Sequence, residues 1–280
     1  MELEFVNVTY KENVRTPLEK TYINNFSYKF SEGKVYSIIG STTSGKEKLP
    51  LLINAVNKPY TGIIKIGEFI NDGKYIKNIN KLRMNVGYIK ENPNEFLFNK
   101  RVIDELNFGI KYFKYKLNKQ SIRIQEALTL VGLTEDYLYK EVNSLSLNEK
   151  KRLSIASSLI FNPSIIVLEE PIMFLTYKDK EKLIKLIHTL KTKYKKTIII
   201  ITKDTNLPYE VSDEVLLFSA GELVGSGGKE LLTQDKLISK IKCDIPEIVK
   251  FINVSNKMNA NLTYTSNILD LIKEVYRNAK

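Results

Sequence analysis

The stretch Val35-Tyr36-Ser37-Ile38-Ile39-Gly40-Ser41-Thr42-Thr43-Ser44-Gly45-Lys46-Glu47-Lys48 constrains this chain more than any other. Its apolar run reads as a buried strand that ends at Gly40, and a helix can begin near Gly45. That is the frame G-x-x-x-x-G-K-S/T of a phosphate-binding loop. Glycines let successive backbone N–H groups curl around a phosphate, and a helix N-terminus adds positive potential. Lys46 is placed to reach the outer phosphates. The following position should carry a hydroxyl that holds Mg2+, and here it is Glu47. Two like charges about 4 Å apart at an effective dielectric near 20 repel by about 4 kcal/mol, which an intervening metal would offset. Glu47 therefore weakens nucleotide binding without excluding it.

The chain has 280 residues, 43% of them hydrophobic, enough for one large domain or one domain with a small extension. Its one cysteine, Cys243, excludes an intramolecular disulfide and points to a reducing compartment. Glu2 and Glu4 stand where a signal peptide would carry positive charge. Apolar runs such as Ile198 to Ile201 fall far short of the roughly 20 residues of a membrane helix. A soluble or peripheral protein is expected. The net charge is +11, but the lysines are scattered among asparagines and isoleucines and tryptophan is absent. This reads as compositional bias rather than a nucleic-acid footprint, compatible with weak attraction to anionic lipid headgroups.

Alternation and short apolar runs predict strands over 3–10, 24–30, 35–39, 61–66, 85–90, 165–168, 197–202 and 214–218. Helical spacing predicts one or two helices over 102–131, one from Ser144-Leu145-Ser146 through Ile160, and one over 180–193. Residues 71–80 read as a polar loop. Pro50 has no N–H to bond back to Lys46, so the helix after the phosphate loop is expected to be strained. His188, the sole histidine, reads as a surface or half-buried helix residue. Strands alternating with helices, with a helical stretch inserted, argue for an α/β sheet.

An apolar strand ending in Glu169-Glu170-Pro171 follows the loop at long range, as a nucleotide-hydrolysing site requires. At this point the chain resembles the ATP-binding subunits of ABC transporters over almost its whole length. Within them it resembles the ATPase subunits of energy-coupling-factor importers, which take up vitamins and trace nutrients. Val86-Gly87-Tyr88-Ile89-Lys90-Glu91-Asn92-Pro93 followed by Phe96-Leu97-Phe98 is similar to that family's V-G-x-V-F-Q-x-P-x-x-Q-L-F segment. Asp104-Glu105-Leu106-Asn107-Phe108-Gly109 is similar to its D-I-x-F-G, and Asp244-Ile245-Pro246 to the D-I/V-P of its C-terminal extension. Thr16-Pro17 leans toward the second of the two paralogous ATPases.

The resemblance implies a P-loop NTPase fold: a three-layer α/β core with an N-terminal antiparallel β subdomain, a helical insertion and a small C-terminal extension. It implies a nucleotide-binding domain over 1–232, with the insertion at roughly 91–160, and an extension over 233–280. ATP and Mg2+ are the implied cofactors. The implied partners are a second ABC ATPase subunit, in a heterodimer or homodimer, a transmembrane scaffold docked through 91–113, and a substrate-binding membrane subunit. No nucleic acid is implied, and the place is the cytoplasmic face of the cell membrane.

Residue by residue, the implied phosphate loop is Gly40, Ser41, Thr42, Thr43, Ser44, Gly45, Lys46 and Glu47, with Thr43 replacing a glycine and Glu47-Lys48 replacing Ser-Thr. The γ-phosphate sensor, normally Gln, is Glu91, an acceptor with no donor when ionised. The motif that clamps ATP from the other subunit, L-S-G-G-Q, reads Leu145-Ser146-Leu147-Asn148-Glu149. Leu147 would fill the space the glycine leaves for the γ-phosphate, and Glu149 would add negative charge. Glu169 takes the place of the metal-binding aspartate, and with Glu91 is a candidate metal ligand. Glu170 occupies the position of the general base. The aspartate of the next loop is lost in Met173-Phe174-Leu175-Thr176, and the switch histidine is Lys203. Tyr10 is a candidate for adenine stacking or a plain strand residue; the family's aromatic aligns nearer Glu12. Lys46 is expected either to serve nucleotide or to pair with Glu169 or Glu170 across an empty site.

Three readings follow. The first is a catalytically degenerate ATP-binding subunit of an energy-coupling-factor importer. The second is an active ATPase in which Glu47 and Glu169 jointly hold Mg2+. The third is a non-catalytic scaffold derived from an ABC ATPase.

Overall fold

The computed structural model describes residues 1–115 and 119–278. The chain opens with β1 (Leu3–Glu12), β2 (Lys20–Phe30) and β3 (Val35–Ile39), then a 3-10 turn at Lys46–Lys48 and α1 (Leu49–Ile53). Next come β4 (Thr61–Ile66), β5 (Phe69–Asn71), α2 (Ile79–Asn85) and β6 (Val86–Ile89). The helical stretch holds α3 (Val102–Tyr112), α4 (Gln120–Leu130) and α5 (Leu147–Leu159). β7 (Ile165–Glu169), α6 (Tyr177–Thr192), β8 (Thr197–Thr202), α7 (Asn206–Val211), β9 (Glu214–Ser219) and β10 (Glu222–Gly227) complete the sheet. α8 (Asp235–Lys240), α9 (Glu247–Lys257) and α10 (Ile268–Asn278) follow.

The strands form an antiparallel sheet, β2-β1-β4-β5, and a six-stranded sheet, β10-β9-β3-β8-β7-β6. In the second, β9, β3, β8, β7 and β6 run parallel and β10 joins antiparallel at the edge. β3 and β8 are buried along their whole length, as parallel strands covered on both faces must be. Val35, Ile166, Leu168, Ile198 and Ile200 meet the helices α3 to α6 on one face. Ile38, Ile165, Val167, Ile199 and Ile201 meet Phe5, Phe26, Phe30 and Leu52 on the other. The result is the expected three-layer α/β core with an antiparallel subdomain. Beyond β10, Leu232, Ile238, Ile241 and Val249 pack on Val215 and Leu217 of β9.

Several local expectations need correction. β5 ends at Asn71 and α2 begins at Ile79, so both elements intrude on the expected polar loop; α2 buries only Leu82, too weak a signal to read in sequence. Asn85 belongs to α2, which trims the following strand to Val86–Ile89. The span 102–131 divides into two helices, and residues 116–118 within it lie outside the described residues. The strain expected at Pro50 is avoided. The chain makes a 3-10 turn first and restarts as α1 with Pro50 in its first turn, where a missing N–H is harmless.

Candidate nucleotide site

The phosphate loop leaves the C-terminal end of β3, beside the ends of β8 and β9, and Gly40 N donates to Thr202 O at 3.3 Å. Ligands of parallel α/β sheets bind at this edge. Gly45 has φ +91°, and a Cβ there would lie 1.9 Å from the Tyr22 carbonyl oxygen. Ser41 N is taken by Ile241 O at 3.1 Å. The amides of Thr42, Thr43, Gly45, Lys46 and Glu47 have no hydrogen-bond partner among the described residues. Such a run of free N–H groups is an anion-binding nest.

Lys46 is buried, and its Nζ donates to Ser41 O at 3.1 Å. Among the described residues it forms no ion pair with Glu169 or Glu170, which overturns that alternative: the ammonium bends onto its own loop, whose carbonyl is closer. Glu47 Oε2 is buried with no partner. These residues fit a nucleotide with its cation: the nest suits phosphate, and the orphaned Glu47 oxygen suits Mg2+. No group of three His, Cys, Asp or Glu side chains among the described residues is placed to hold a metal. Protein sites hold Mg2+ by one or two carboxylates plus substrate phosphates. Glu47 would hold the ion, which when bound would supply charge neutralisation to the phosphates.

The acidic residues cluster at the ends of β6 and β7. Tyr88 Oη donates to Glu169 Oε2 at 2.7 Å. Burial raises the Glu169 carboxyl pKa, partly offset by the Tyr88 hydroxyl and the Glu91 backbone. Burial and the Glu169 charge raise that of Tyr88. Glu170 sits at φ +39°, an uncommon conformation for a residue with a side chain. Its Oε2 accepts from Thr202 Oγ1 at 2.7 Å and its Oε1 from Lys203 N at 2.8 Å. Lys203 thus meets the site through its main chain, and its side chain is exposed. Glu91 is half-buried.

Lys151 of α5 was not singled out from sequence. It is fully buried, and Nζ donates to Lys90 O at 2.7 Å, Glu91 O at 2.9 Å and Glu169 O at 3.1 Å. Burial pulls its pKa down to about 8, against the opposing charges of Glu169, Glu91 and Glu170. The available signal was its spacing: Ser154 and Ile155, three and four residues on, share its buried helix face.

Glu149 requires a correction. It closes a capping box at the start of α5, accepting on Oε2 from Ser146 N and Ser146 Oγ, both at 2.8 Å. Tyr137 Oη donates to Oε1 at 2.6 Å. The Tyr137 and Ser146 hydrogen bonds push its carboxyl down to about 2. Its charge is folded into the helix cap rather than projected outward. Leu147 beside it is 40% exposed. Phe174, in the loop after Glu170, has φ +68°.

Tyr10 is buried in the sheet, donates to Glu12 Oε1 at 3.0 Å and accepts from Asn57 Nδ2 at 2.7 Å. It is a packed strand residue, with no face left for a base. Glu12 in turn pairs with Lys48 at 2.7 Å. His188 is exposed on α6.

A loop nest after β3 of a parallel sheet, with paired carboxylates at the end of β7 on the far side of β8, defines a P-loop nucleotide-binding cassette. The family model described as ABC transporter matches residues 23–173. A relative from Staphylococcus aureus (strain USA300), "Energy-coupling factor transporter ATP-binding protein EcfA2", is 32% identical over 252 residues, 89% of this chain and 88% of its own length. Among solved structures, cbiO1 from Clostridium perfringens, part of the ABC transporter complex cbiONQ, superposes with a TM-score of 0.72 at 25% identity, covering 90% of this chain and 98% of its own. The dimeric ATP-binding cassette MJ0796, bound to ADP and Pi, superposes with a TM-score of 0.74 at 22% identity over 81% of this chain and 98% of its own, which bears on the fold alone. The chain belongs to the ABC transporter family, in its branch of energy-coupling factor ATP-binding proteins.

Proposed function

We propose that this chain is an ATP-binding subunit of an energy-coupling-factor importer and that its catalysis is degenerate. The observation that carries the role is the 32% identity to the S. aureus protein over 89% of the chain. In this reading residues 1–232 form the nucleotide-binding domain, with the helical insertion at 91–160, and 233–280 form the extension. The partners are a second ABC ATPase subunit, a transmembrane scaffold and a substrate-binding membrane subunit. No helix among the described residues is long and apolar enough to cross a membrane. Attachment at the cytoplasmic face of the cell membrane runs through the scaffold. The docking surface is the segment 91–113, where Phe98, Phe108 and Tyr112 are exposed and packed ring to ring, with centroids 4.7 Å and 5.9 Å apart.

The chemistry follows from the residues. The free amides of Thr42, Thr43, Gly45, Lys46 and Glu47 hold phosphate, and Lys46 leaves Ser41 O to reach it. Glu170, in the base position, is already engaged by Thr202 and Lys203, which restrains it as a proton acceptor. Glu91 offers no donor to the γ-phosphate, and Leu147 occupies the position in this chain's clamp that would approach the nucleotide of the other subunit. Losing one transition-state donor costs ~10²–10³ in rate, so these departures together leave an enzyme that barely turns over. A pull-down from the native cell tests the role: recovery of neither an ATPase paralogue nor a membrane scaffold counts against it. Phosphate release by the purified heterodimer tests the degeneracy.

The unpartnered Glu47 oxygen favours a second reading, an active ATPase in which Glu47 and Glu169 share Mg2+. A heterodimer with no Mg-dependent phosphate release disposes of it. The third reading, a scaffold without nucleotide, is disposed of by tight ATP binding in calorimetry.

A further inference from the structure

We propose that Lys151 is the positioning residue for the carboxylates of Glu91 and Glu169, acting on their main chains rather than on the carboxylates themselves. An ammonium has three N–H donors and no acceptor. All three are used here, one on each of the Lys90, Glu91 and Glu169 carbonyls. Lys90 and Glu91 begin the loop after β6, and Glu169 ends β7. The β6–β7 ladder stops at Ile89 opposite Leu168, while β8 still pairs Glu169 with Ile201, so the ammonium ties the loop after β6 to a strand end that β6 itself no longer reaches. Tyr88 Oη fixes the Glu169 carboxylate itself, donating to its Oε2 at 2.7 Å.

The choice of lysine follows from this geometry. A glutamine amide offers two donors in one plane, and methionine offers none, so either leaves at least one of three converging carbonyls unmatched. Burying an ammonium is unfavourable unless charge compensates it. Here Glu91, Glu169 and Glu170 supply that compensation. In return, the ammonium supplies fixed positive charge beneath a site otherwise crowded with carboxylates. Lys151 lies on α5, which begins at Leu147 with Ser146 as its N-cap. The same contact therefore links the 145–149 segment to the nucleotide edge of the sheet.

The inference rests on the nucleotide-binding reading only for its affinity readout. Amide exchange of the full-length protein without nucleotide is compared for wild type, Lys151→Met and Lys151→Arg. In Lys151→Met, exchange at residues 90–92 and at Glu169 and Glu170 rises about tenfold more than at residues 155–159 of α5, and Lys151→Arg restores part of the protection. Calorimetry with ATP then shows Mg-dependent affinity falling by about tenfold in Lys151→Met, the range for groups that orient metal ligands, while affinity in EDTA stays level. Should Lys151→Met not fold, Lys151→Gln is read the same way. Exchange that rises uniformly along the chain, or stays unchanged at 90–92 and at Glu169 and Glu170, overturns the proposal. Should wild type itself bind no ATP, the nucleotide reading fails while the exchange result still decides the role of Lys151.

Discussion

The hydroxyl of Thr202 donates to Glu170 Oε2 at 2.7 Å and is itself the acceptor for Asp204 N at 3.0 Å. Thr202 is 1% exposed, so its oxygen has no water to turn to. Replacing it with valine leaves one oxygen of Glu170 and one backbone amide without partners. Thr202→Val should destabilise the protein by about 1–3 kcal/mol, the cost of unsatisfied buried groups. Urea unfolding measures it, and an unchanged midpoint would show that solvent replaces both bonds.

Glu47 is the decisive departure within the phosphate loop. Its oxygen is buried and unpartnered, in a loop whose amides at 42, 43 and 45–47 are free among the described residues. Substituting serine removes the like charge and supplies the missing hydroxyl. Glu47→Ser should raise Mg-dependent ATP affinity by about tenfold or more, a fraction of the repulsion between close charges at protein dielectric. Titration with and without Mg2+ reads the change. An affinity that rises equally in EDTA would show that only repulsion, and no metal ligand, was at issue.

The fold was legible because its signals were strong and local: the uninterrupted apolar runs of β3, β7 and β8 and the loop that follows β3. The site was legible where a residue departs from a motif, as at Glu47, Glu91 and Leu147. Contacts made by long side chains to distant main chains were not. Lys151 reaches carbonyls about 60 residues upstream, and nothing in its neighbours marks that reach. Glu149 looked like an added charge because its environment depends on Tyr137, twelve residues away on a separate turn. Its cap pairing with Ser146, three residues before it, was readable as a capping box.

That capping box makes stability depend on pH. Glu149 titrates near 2 in the folded protein against 4.5 for the free group. A carboxylate with a depressed folded pKa contributes stability above the unfolded value and loses it as pH falls through the folded one. The contribution of Glu149 is therefore complete above about pH 5 and fades toward pH 2. Glu149→Gln should be less stable than wild type by about 1 kcal/mol at pH 7, as for a lost helix cap. The gap between the two melting curves should narrow as pH falls below 4.5. A gap independent of pH would mean that the charge of Glu149 plays no part in the cap.

Gly45 holds the loop at φ +91°, with the Tyr22 carbonyl where a side chain would begin. An alanine there is strained in its backbone and collides with a main-chain atom that cannot rotate away. Gly45→Ala should cost about 3 kcal/mol or more and abolish nucleotide binding, since the nest must open to admit the methyl group. Thermal melts and ATP titration test this together. Full stability with lost binding would place the strain in the loop alone.

The order of the defects along the chain separates a heterodimer from a homodimer. In the proposed head-to-tail dimer, each site joins the phosphate loop of one subunit to the 145–149 segment of the other. With a distinct partner, Glu47 spoils one site and Leu147 the other. The gains in hydrolysis from Glu47→Ser and Leu147→Gly then add as separate turnover rates, because the two positions share no site. With a second copy of this chain, both defects meet in every site. Either change alone then gives little, and the double variant gains far more than the sum. Leu147→Gly also weakens the first turn of α5 by about 1 kcal/mol, so its folded fraction must be measured alongside. Additive rates with the partner present, and none without it, assign a heterodimer; strong synergy in the isolated protein assigns a homodimer.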